Sequence, residues 1–460
     1  MLVLSCSNLM GWRSIPEEAS KLSLSEWLED LEALEEGMAG HPKFTHDPTT
    51  RSAFEASLGE LRTELAEASD SHGPSRNLAS VAITGIMRVL AVVGDGHTRI
   101  NASPETRYPI IIRFFPKKDS NLDFENERAW EARLAATDAL HVQYLGWRIV
   151  GIGEYALGEA LSLAGPCLSI ESALKPGGVA QALYGHAVRT EVMDAFSDPW
   201  LDSGLGLTEA DGTLRVSLEN DEGVLEELVL AAQPSNSVEW KTVLQAVPQE
   251  SRHFTRSRPN ESRWMGSPPG RDDLLYIRYD DCDSGAGPFF DEILGKLADA
   301  GSDSGPKGII VDLRYNSGGD SRPGYSFARS LRNKAVSKTA GGVVVLVGPA
   351  TYSSAMQNAA DLLAACGASE TAPGRAILVG EPLIEPLRHY GEMTRFLLPR
   401  SGILVGKSTR LWRYDDFAGI HPERGVLEPA PGKLAAIGFD DYSAGADPIF
   451  DTALRFAPAP

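Results

Sequence analysis

Two adjacent serines and two adjacent glycines are the residues best suited to chemistry in this 460-residue chain. Ser353 and Ser354 follow the apolar run 343–347, which predicts a buried strand, and they stand where a helix is predicted to begin. Gly318 and Gly319 follow a second apolar run, 308–313. A serine at a helix N-terminus, beside a glycine turn with accessible backbone N–H groups, provides a nucleophile and an oxyanion site. The pattern therefore predicts acyl transfer by a serine peptidase or a related hydrolase.

A serine nucleophile needs a base, and His97 is the best candidate. It lies between Gly96 and Thr98, just after an apolar stretch that predicts a helix over 78–93. Imidazole titrates near neutral pH and can accept the serine proton. Taken alone, a serine in this position is commonly an N-cap and a single histidine is commonly structural. The combination of both with the glycine turn favours catalysis.

Composition excludes several other functions. The formal net charge is -20 and no basic run occurs, which argues against nucleic acid as a partner. No run of 18 apolar residues occurs, so no membrane span is predicted, and the N-terminus lacks the basic region of a signal peptide. The four cysteines are far apart, which predicts isolated thiols and neither a zinc site nor a disulfide framework.

Two acidic patterns resemble metal sites without meeting their requirements. Asp281-x-Asp283 is followed by Gly285, as in a calcium loop, but the bidentate glutamate expected further on is absent. His389 and His421 have glutamates nearby but no metal-binding histidine spacing. We therefore predict no metal and no cofactor.

The order of predicted elements indicates a multi-domain α/β protein. Helical periodicity in the first hundred residues predicts an N-terminal helical domain over 1–107. Strand patterns predict a mixed α/β domain over 108–235, including a strand at 141–144 and the hairpin 213–230. Residues 236–272 lack periodicity and read as a linker. Over 273–460, strands alternate with helices, which predicts a largely parallel sheet.

Short motifs along most of the chain resemble those of the C-terminal processing peptidases and their tricorn-related relatives, a family of serine peptidases. The blocks, in the order of the family, are Trp27-Leu-Glu-Asp-Leu31, Gly94-Asp-Gly-His-Thr98, Ile310-Val-Asp-Leu-Arg-Tyr-Asn-Ser-Gly-Gly319, Thr351-Tyr-Ser-Ser-Ala355, Val379-Gly-Glu-Pro382, His389-Tyr-Gly-Glu392 and Gly425-Val-Leu-Glu-Pro429. The third block is the most specific. Each of the others is weak alone, and their shared order carries the resemblance.

The resemblance implies a particular catalytic style and set of residues. Processing peptidases use a Ser/Lys dyad, but Pro386 occupies the lysine position and no lysine lies between 338 and 407. The tricorn-like style, with a histidine after the helix, matches His97. It implies an orienting acid near the closing block, for which Glu423 is the candidate. Because the nucleophile of the family is usually followed by alanine, Ser354 is preferred to Ser353.

The remaining implications of the resemblance concern the oxyanion site, the fold and the setting. The N–H groups of Gly318, Gly319 and Ala355 would hold the oxyanion. The fold would be a crotonase-like ββα core over 273–460 behind the helical domain, with a degenerate PDZ-like unit within 108–235. The substrates would be peptides or unstructured protein segments, in an extracytoplasmic compartment, and the oligomeric state stays open.

Two departures from the family keep other functions open. Leu383-Ile-Glu385 stands where the family often has Thr-Gly-Gly, and Ala430 replaces the closing aspartate. Both departures favour a catalytically inactive peptide-binding scaffold as the alternative. An acyl-CoA enzyme with the same core is a third hypothesis, against which the serine pair and His97 argue.

Overall fold

The chain divides into two compact units. The computed structural model describes residues 13–15, 17–70, 77–117, 130–171, 196–299, 305–338, 342–366, 376–423 and 425–459. The N-terminal unit comprises Gly11–Ala246 with Tyr390–Leu411, and the C-terminal unit comprises Val247–His389 with Trp412–Pro460.

Amphipathic helices build one core of the N-terminal unit. Its helices are α1 Leu24–Met38, α2 Pro42–His46, α3 Pro48–Asp70, α4 Leu78–Val92, α5 Leu157–Ala164 and α6 Pro199–Gly204. Ser23 and Glu26 form the capping box at the start of α1. Trp27, Leu61 and Ile86 are fully buried in the core of this unit, as their spacing along the chain predicts.

Short strands complete the N-terminal unit. They are β1 Arg13–Ile15, β2 Arg99–Ile100, β3 Ala102–Pro104, β4 Thr106–Arg107, β5 Ile110–Pro116, β6 Trp130–Thr137, β7 Arg148–Ile152, β8 Tyr155–Ala156, β9 Leu214–Glu219, β10 Leu225–Leu230, β11 Gln233–Pro234 and β12 Lys241–Thr242. The largest sheet has the order β10-β9-β7-β6-β12, with β5 beside β6 and β8 beside β7. The predicted hairpin is confirmed as β9 and β10.

A five-stranded sheet organises the C-terminal unit. Its strands are β13 Arg263–Gly266, β14 Leu274–Tyr279, β15 Gly308–Asp312, β16 Val343–Val347 and β17 Ala376–Gly380, in that spatial order. The pairs from β14 to β17 are parallel, and only β13 runs antiparallel to its neighbour. The carboxyl ends of β15 and β16 therefore meet at one edge, where ligands bind in sheets of this kind.

Helices and a long hairpin complete the chain. The helices of the C-terminal unit are α7 Gly287–Lys296, α8 Arg322–Leu331, α9 Ser354–Ala365, α10 Tyr414–Ala418, α11 Phe439–Ala444 and α12 Pro448–Phe456. The hairpin strands are β18 Arg388–Leu397 and β19 Leu404–Arg413. No helix of the described ranges is both long and apolar enough to cross a bilayer.

The units depart from the predicted segments at two places. Residues 390–411, expected within 273–460, belong to the N-terminal unit because Leu398, Ile403 and Val405 pack in its helical core. The predicted linker contains β13, whose Trp264 is buried; a four-residue strand is too short to show periodicity. The expected strand at 141–144 is a 3₁₀ turn.

The mixed α/β architecture with several sheets confirms the predicted fold class. The PDZ-like character of the middle segment and the crotonase-like character of the C-terminal segment stay predictions, and part of the middle segment lies outside the described residues.

Candidate active site

Ser353 has the backbone conformation of a sharp turn between β16 and α9. Its dihedrals are φ 53° and ψ -124°, values that glycine dominates and that strain a residue with a side chain. Hydrogen bonds from the two residues before Ser353 hold the turn. The Thr351 hydroxyl donates to Leu313 O at 2.9 Å, and Tyr352 N donates to Asn316 O at 3.0 Å. Strain of this kind persists where the surroundings fix it, which is common for residues in active sites.

Glu385 is a partner of Ser353 that the sequence analysis did not identify. Its fully buried carboxylate accepts a hydrogen bond from the Ser353 backbone N–H. His389 lies beside it, with Nε2 3.8 Å from Glu385 Oε1, and its Nδ1 donates to Pro386 O at 3.1 Å. The only sequence signal for Glu385 was its presence where the family often has glycine.

Ser354 is engaged in a structural contact. Its side chain is buried as the first residue of α9, and its hydroxyl donates to Gly319 O at 2.6 Å. Ser354 is thereby tied to the glycine turn, whereas Ser353 carries the strained backbone. This geometry favours Ser353 over Ser354 as the nucleophile.

The glycine turn lies directly against the two serines. Gly318 and Gly319 have φ of 103° and 133°, and a Cβ on Gly318 would approach Ser353 Cβ to 2.7 Å and Ser354 N to 3.0 Å. Asn316 shapes the turn: its Oδ1 accepts from Gly318 N at 2.9 Å, and its Nδ2 donates to Tyr279 O at 2.9 Å. Glycine is therefore required at 318 by both conformation and space.

The predicted oxyanion donors differ in their availability. Gly318 N donates to Asn316, and Ala355 N donates to Tyr352 O at 3.0 Å, so neither is available without rearrangement. Within the described ranges, no acceptor bonds the N–H of Gly319 or that of Ser354. These two groups match the layout in which the residue after the nucleophile supplies one donor.

A buried ion cluster lies at the end of β15, just before the glycine turn. Arg314 contacts Asp312 at 2.6 Å and Asp447 at 2.7 Å, and all three are buried. The Thr255 hydroxyl also donates to Asp447, at 2.6 Å. Burial raises the pKa of Asp447, but the Arg314 charge and the hydrogen bonds outweigh it and hold that pKa well below its usual value. The Asp-x-Arg-x-Asn motif thus braces the site.

His97 lies in the N-terminal unit, in a turn that begins after α4. Gly94 ends the helix with φ 64°, and Asp95 Oδ1 accepts from His97 N at 3.0 Å. The His97 Nδ1 lies 3.9 Å from the same oxygen. Burial lowers the pKa of His97 to about 4, although Asp95 opposes the shift. The imidazole is therefore neutral at pH 7, as a general base requires.

Asp95 is itself held rigidly. Its Oδ2 lies 3.0 Å from His41 Nε2 and accepts from the Thr98 hydroxyl at 2.5 Å. Burial alone would raise the pKa of Asp95, but the hydrogen bond with His41 and the interactions with His97 and Thr98 bring it below the usual value. At 3.9 Å from Nδ1, the Asp95 carboxylate is beyond hydrogen-bond range of that ring nitrogen and acts on His97 through its charge. Asp95 was already present in the histidine motif of the sequence.

Glu423, the predicted orienting acid, is exposed in the C-terminal unit. In the part of the chain that the structure describes, its carboxylate enters no hydrogen bond or ion pair. Nothing in its surroundings distinguishes it from an ordinary surface glutamate, and its role stays a prediction from the resemblance.

One set of potential metal ligands overlaps the histidine turn. Ligand atoms of Asp95, His97 and Glu171 lie within 4.8 Å of one another. Asp95 already holds hydrogen-bond donors on both oxygens, and Glu171 Oε1 accepts from Gly96 N at 3.0 Å. Both carboxylates therefore accept hydrogen bonds that hold the histidine turn.

A strained serine follows one parallel strand and lies against a double-glycine turn that follows the neighbouring strand, which is the layout that acyl transfer requires. Across 94% of this chain and 98% of the other, the fold is similar to that of mature CPAF complexed with lactacystin, with a TM-score of 0.54 and 10% identity. Mature CPAF in a second structure gives a TM-score of 0.52 and 11% identity, over 93% of this chain and 96% of that one.

The photosystem II D1 C-terminal processing protease is a more distant likeness, with a TM-score of 0.36 and 16% identity over 93% of this chain and 99% of that one. A score this low carries no argument. No family model and no curated protein matches the sequence. At such low identity, the likeness to CPAF confirms the predicted resemblance at the level of the fold.

Proposed function

We propose that the chain is a serine peptidase that cleaves peptides or unstructured protein segments through an acyl-enzyme. The observation that carries the proposal is the strained Ser353 beside two backbone N–H groups, of Gly319 and Ser354, that no described residue bonds. A ligand oxygen between such donors is stabilised as negative charge develops on it.

The proposed chemistry assigns each group one task. Ser353 Oγ attacks the scissile carbonyl while His97 takes its proton, and the N–H groups of Gly319 and Ser354 hold the oxyanion. His97 then returns the proton to the leaving amine, and water hydrolyses the acyl-enzyme with His97 again as base. The Asp95 charge beside the ring stabilises the imidazolium that forms. This assignment replaces Ser354 by Ser353 as nucleophile and Glu423 by Asp95 as the acid that assists His97.

One observation favours the inactive peptide-binding scaffold as the second candidate. The Glu385 carboxylate bonds the N–H of Ser353 itself, and a buried negative charge beside the nucleophile opposes the formation of an oxyanion. Repulsion of this kind would slow acylation. The two candidates make opposite predictions for a reagent that needs only the nucleophile and its base.

A fluorophosphonate probe separates the two candidates. The wild-type chain and Ser354→Ala should be labelled, while Ser353→Ala and His97→Ala should not. Loss of the Ser354 hydrogen bond costs about 1 kcal/mol, so its labelling should slow about fivefold at most. Labelling lost in Ser354→Ala and kept in Ser353→Ala would reverse the choice of nucleophile. Absent labelling of a folded wild-type chain would favour the scaffold.

A further inference from the structure

Among the described strands, β10 forms one edge of the largest sheet of the N-terminal unit. It is the terminal strand in the order β10-β9-β7-β6-β12 and pairs only with β9 among the described strands. An unpaired edge presents backbone donors and acceptors to any extended chain, and proteins usually shorten, bend or charge such edges. Strand β10 spans six residues without proline or bulge.

The register shows which backbone groups face outward. Asn220 N donates to Val224 O at 3.0 Å, which makes 220 and 224 a hydrogen-bonded pair. Since bonded and non-bonded pairs alternate in antiparallel sheets, Leu228 bonds β9, whereas the N–H and C=O groups of Leu225, Glu227 and Val229 point to the open edge. The hydrogen bonds of β9 are consistent with this register. Arg215 lies opposite Val229, and its carbonyl oxygen points away from β10 and accepts from Gly153 N.

The side chains on the outer face of the strand are apolar except at its centre. Leu225 is 68% exposed and Val229 is 55% exposed, and Glu227 lies between them. The adjoining Glu226 and the turn residue Glu222 are exposed and acidic as well. Arg215 of β9 lies 3.9 Å from the Glu227 carboxylate, but it also pairs with Glu209, and the Glu227 side chain stays 60% exposed. The edge therefore offers two apolar contacts on either side of an accessible carboxylate.

A second copy of the chain fits this edge poorly. Two β10 strands paired about a two-fold axis at Glu227 would place Leu225 opposite Val229 and the two Glu227 side chains opposite each other. Like charges directly opposite destabilise a strand pair. The glutamate therefore opposes self-pairing and favours a cationic residue in the facing position.

We propose that β10 binds an extended polypeptide segment as an added strand, with a lysine or arginine facing Glu227 and apolar residues two positions away on each side. Main-chain hydrogen bonds to Leu225, Glu227 and Val229 supply the affinity, and the charge supplies the selectivity. Given the proposed function, the segment would belong to a polypeptide substrate.

The test measures binding in the Ser353→Ala full-length chain, so that cleavage cannot interfere and inactivity cannot mimic failure. Fluorescence anisotropy is recorded with two labelled peptides that contain Val-Thr-Lys-Thr-Leu or Val-Thr-Glu-Thr-Leu. The lysine peptide should bind at least about tenfold more tightly, which corresponds to about 1.4 kcal/mol.

Two variants and one control locate the binding. Val229→Pro removes an N–H that points away from β9, so the ladder is kept and the lysine peptide should bind about tenfold more weakly. Glu227→Lys should reverse the preference to the glutamate peptide, which keeps the test valid if the proline variant misfolds. Glu60→Lys makes the same charge change on an exposed residue of α3 and should have no effect.

Three outcomes would overturn the proposal. They are no binding of the lysine peptide by a folded chain at millimolar concentration, an equal loss of affinity in Glu60→Lys and Glu227→Lys, or a dimer in sedimentation that Val229→Pro converts to monomer. The last result would assign the edge to a second copy of the chain. None of them would bear on whether the wild-type chain is a peptidase.

Discussion

Alanine and glycine should have opposite effects on stability at the two adjacent serines. Ser353 has φ 53° and ψ -124°, whereas Ser354 is the first residue of helix α9. Each position is replaced by alanine and by glycine in turn. Since both replacements remove the hydroxyl, the difference between them isolates the backbone.

The magnitudes follow from the two backbone conformations. At Ser353, alanine retains a backbone strain of about 1–3 kcal/mol that glycine relieves. Glycine is more flexible in the unfolded chain, which lowers the stability of the glycine variant by about 0.4–1 kcal/mol. Ser353→Gly should therefore be more stable than Ser353→Ala by about 1 kcal/mol. At Ser354 glycine should be less stable than alanine by up to about 1 kcal/mol, because helices disfavour glycine.

The assay must report on this segment, because a chain with two units need not unfold in one step. Hydrogen–deuterium exchange of peptides that cover α9, measured at increasing urea concentration, gives the free energy of unfolding of that segment. If alanine is at least as stable as glycine at Ser353, the strained turn is wrong, and with it the choice of Ser353 over Ser354. The test does not depend on enzymatic activity.

Two further predictions concern buried charge. Asp447→Asn leaves Arg314 with one carboxylate partner and should lower the free energy of unfolding by about 3–5 kcal/mol in a urea titration. Asp320→Asn, which breaks an ion pair whose Arg322 side chain is 85% exposed, should cost less than about 1 kcal/mol; equal costs would contradict the bracing role of the cluster. Burial lowers the pKa of His97 from 6.5 to about 4. As the pH falls below 6.5, the unfolded chain therefore binds a proton on this histidine before the folded chain does. The free energy of unfolding, which has its full value above pH 6.5, should fall by about 3 kcal/mol between pH 6.5 and 4. His97→Gln should flatten this part of the pH profile, and an unchanged slope would assign it to other groups.

Local sequence signals were sufficient for much of the framework. Apolar runs predicted β15 and β16, since strands buried on both faces are apolar throughout, and helical periodicity predicted α1, α3 and α4. The Asn-Ser-Gly-Gly turn marked the candidate site, because two adjacent glycines permit positive φ and a close approach. Predictions were weaker where elements were short, as at β13 and at the 3₁₀ turn near Val142.

The choice between adjacent serines shows where such signals end. Ser353 and Ser354 are the same residue type in the same motif, and only the folded turn gives one of them a strained backbone and the other a bond to Gly319. Glu385 lies 32 positions from Ser353 in the sequence, and its hydrogen bond to the Ser353 N–H exists only in the folded chain. Likewise, Asp95 stood within the histidine motif, but its 3.0 Å contact with His41 exists only in the folded chain.

The sequence by itself determined most of the elements that carry the candidate site, because strand and helix patterns depend on neighbours a few residues away; the class of site stays a prediction. Tertiary structure decided which serine is strained, which N–H groups have no described acceptor, and which acid lies beside His97. These properties depend on contacts between residues far apart in the chain, where hydrogen-bond partners and burial are fixed only when the backbone has folded.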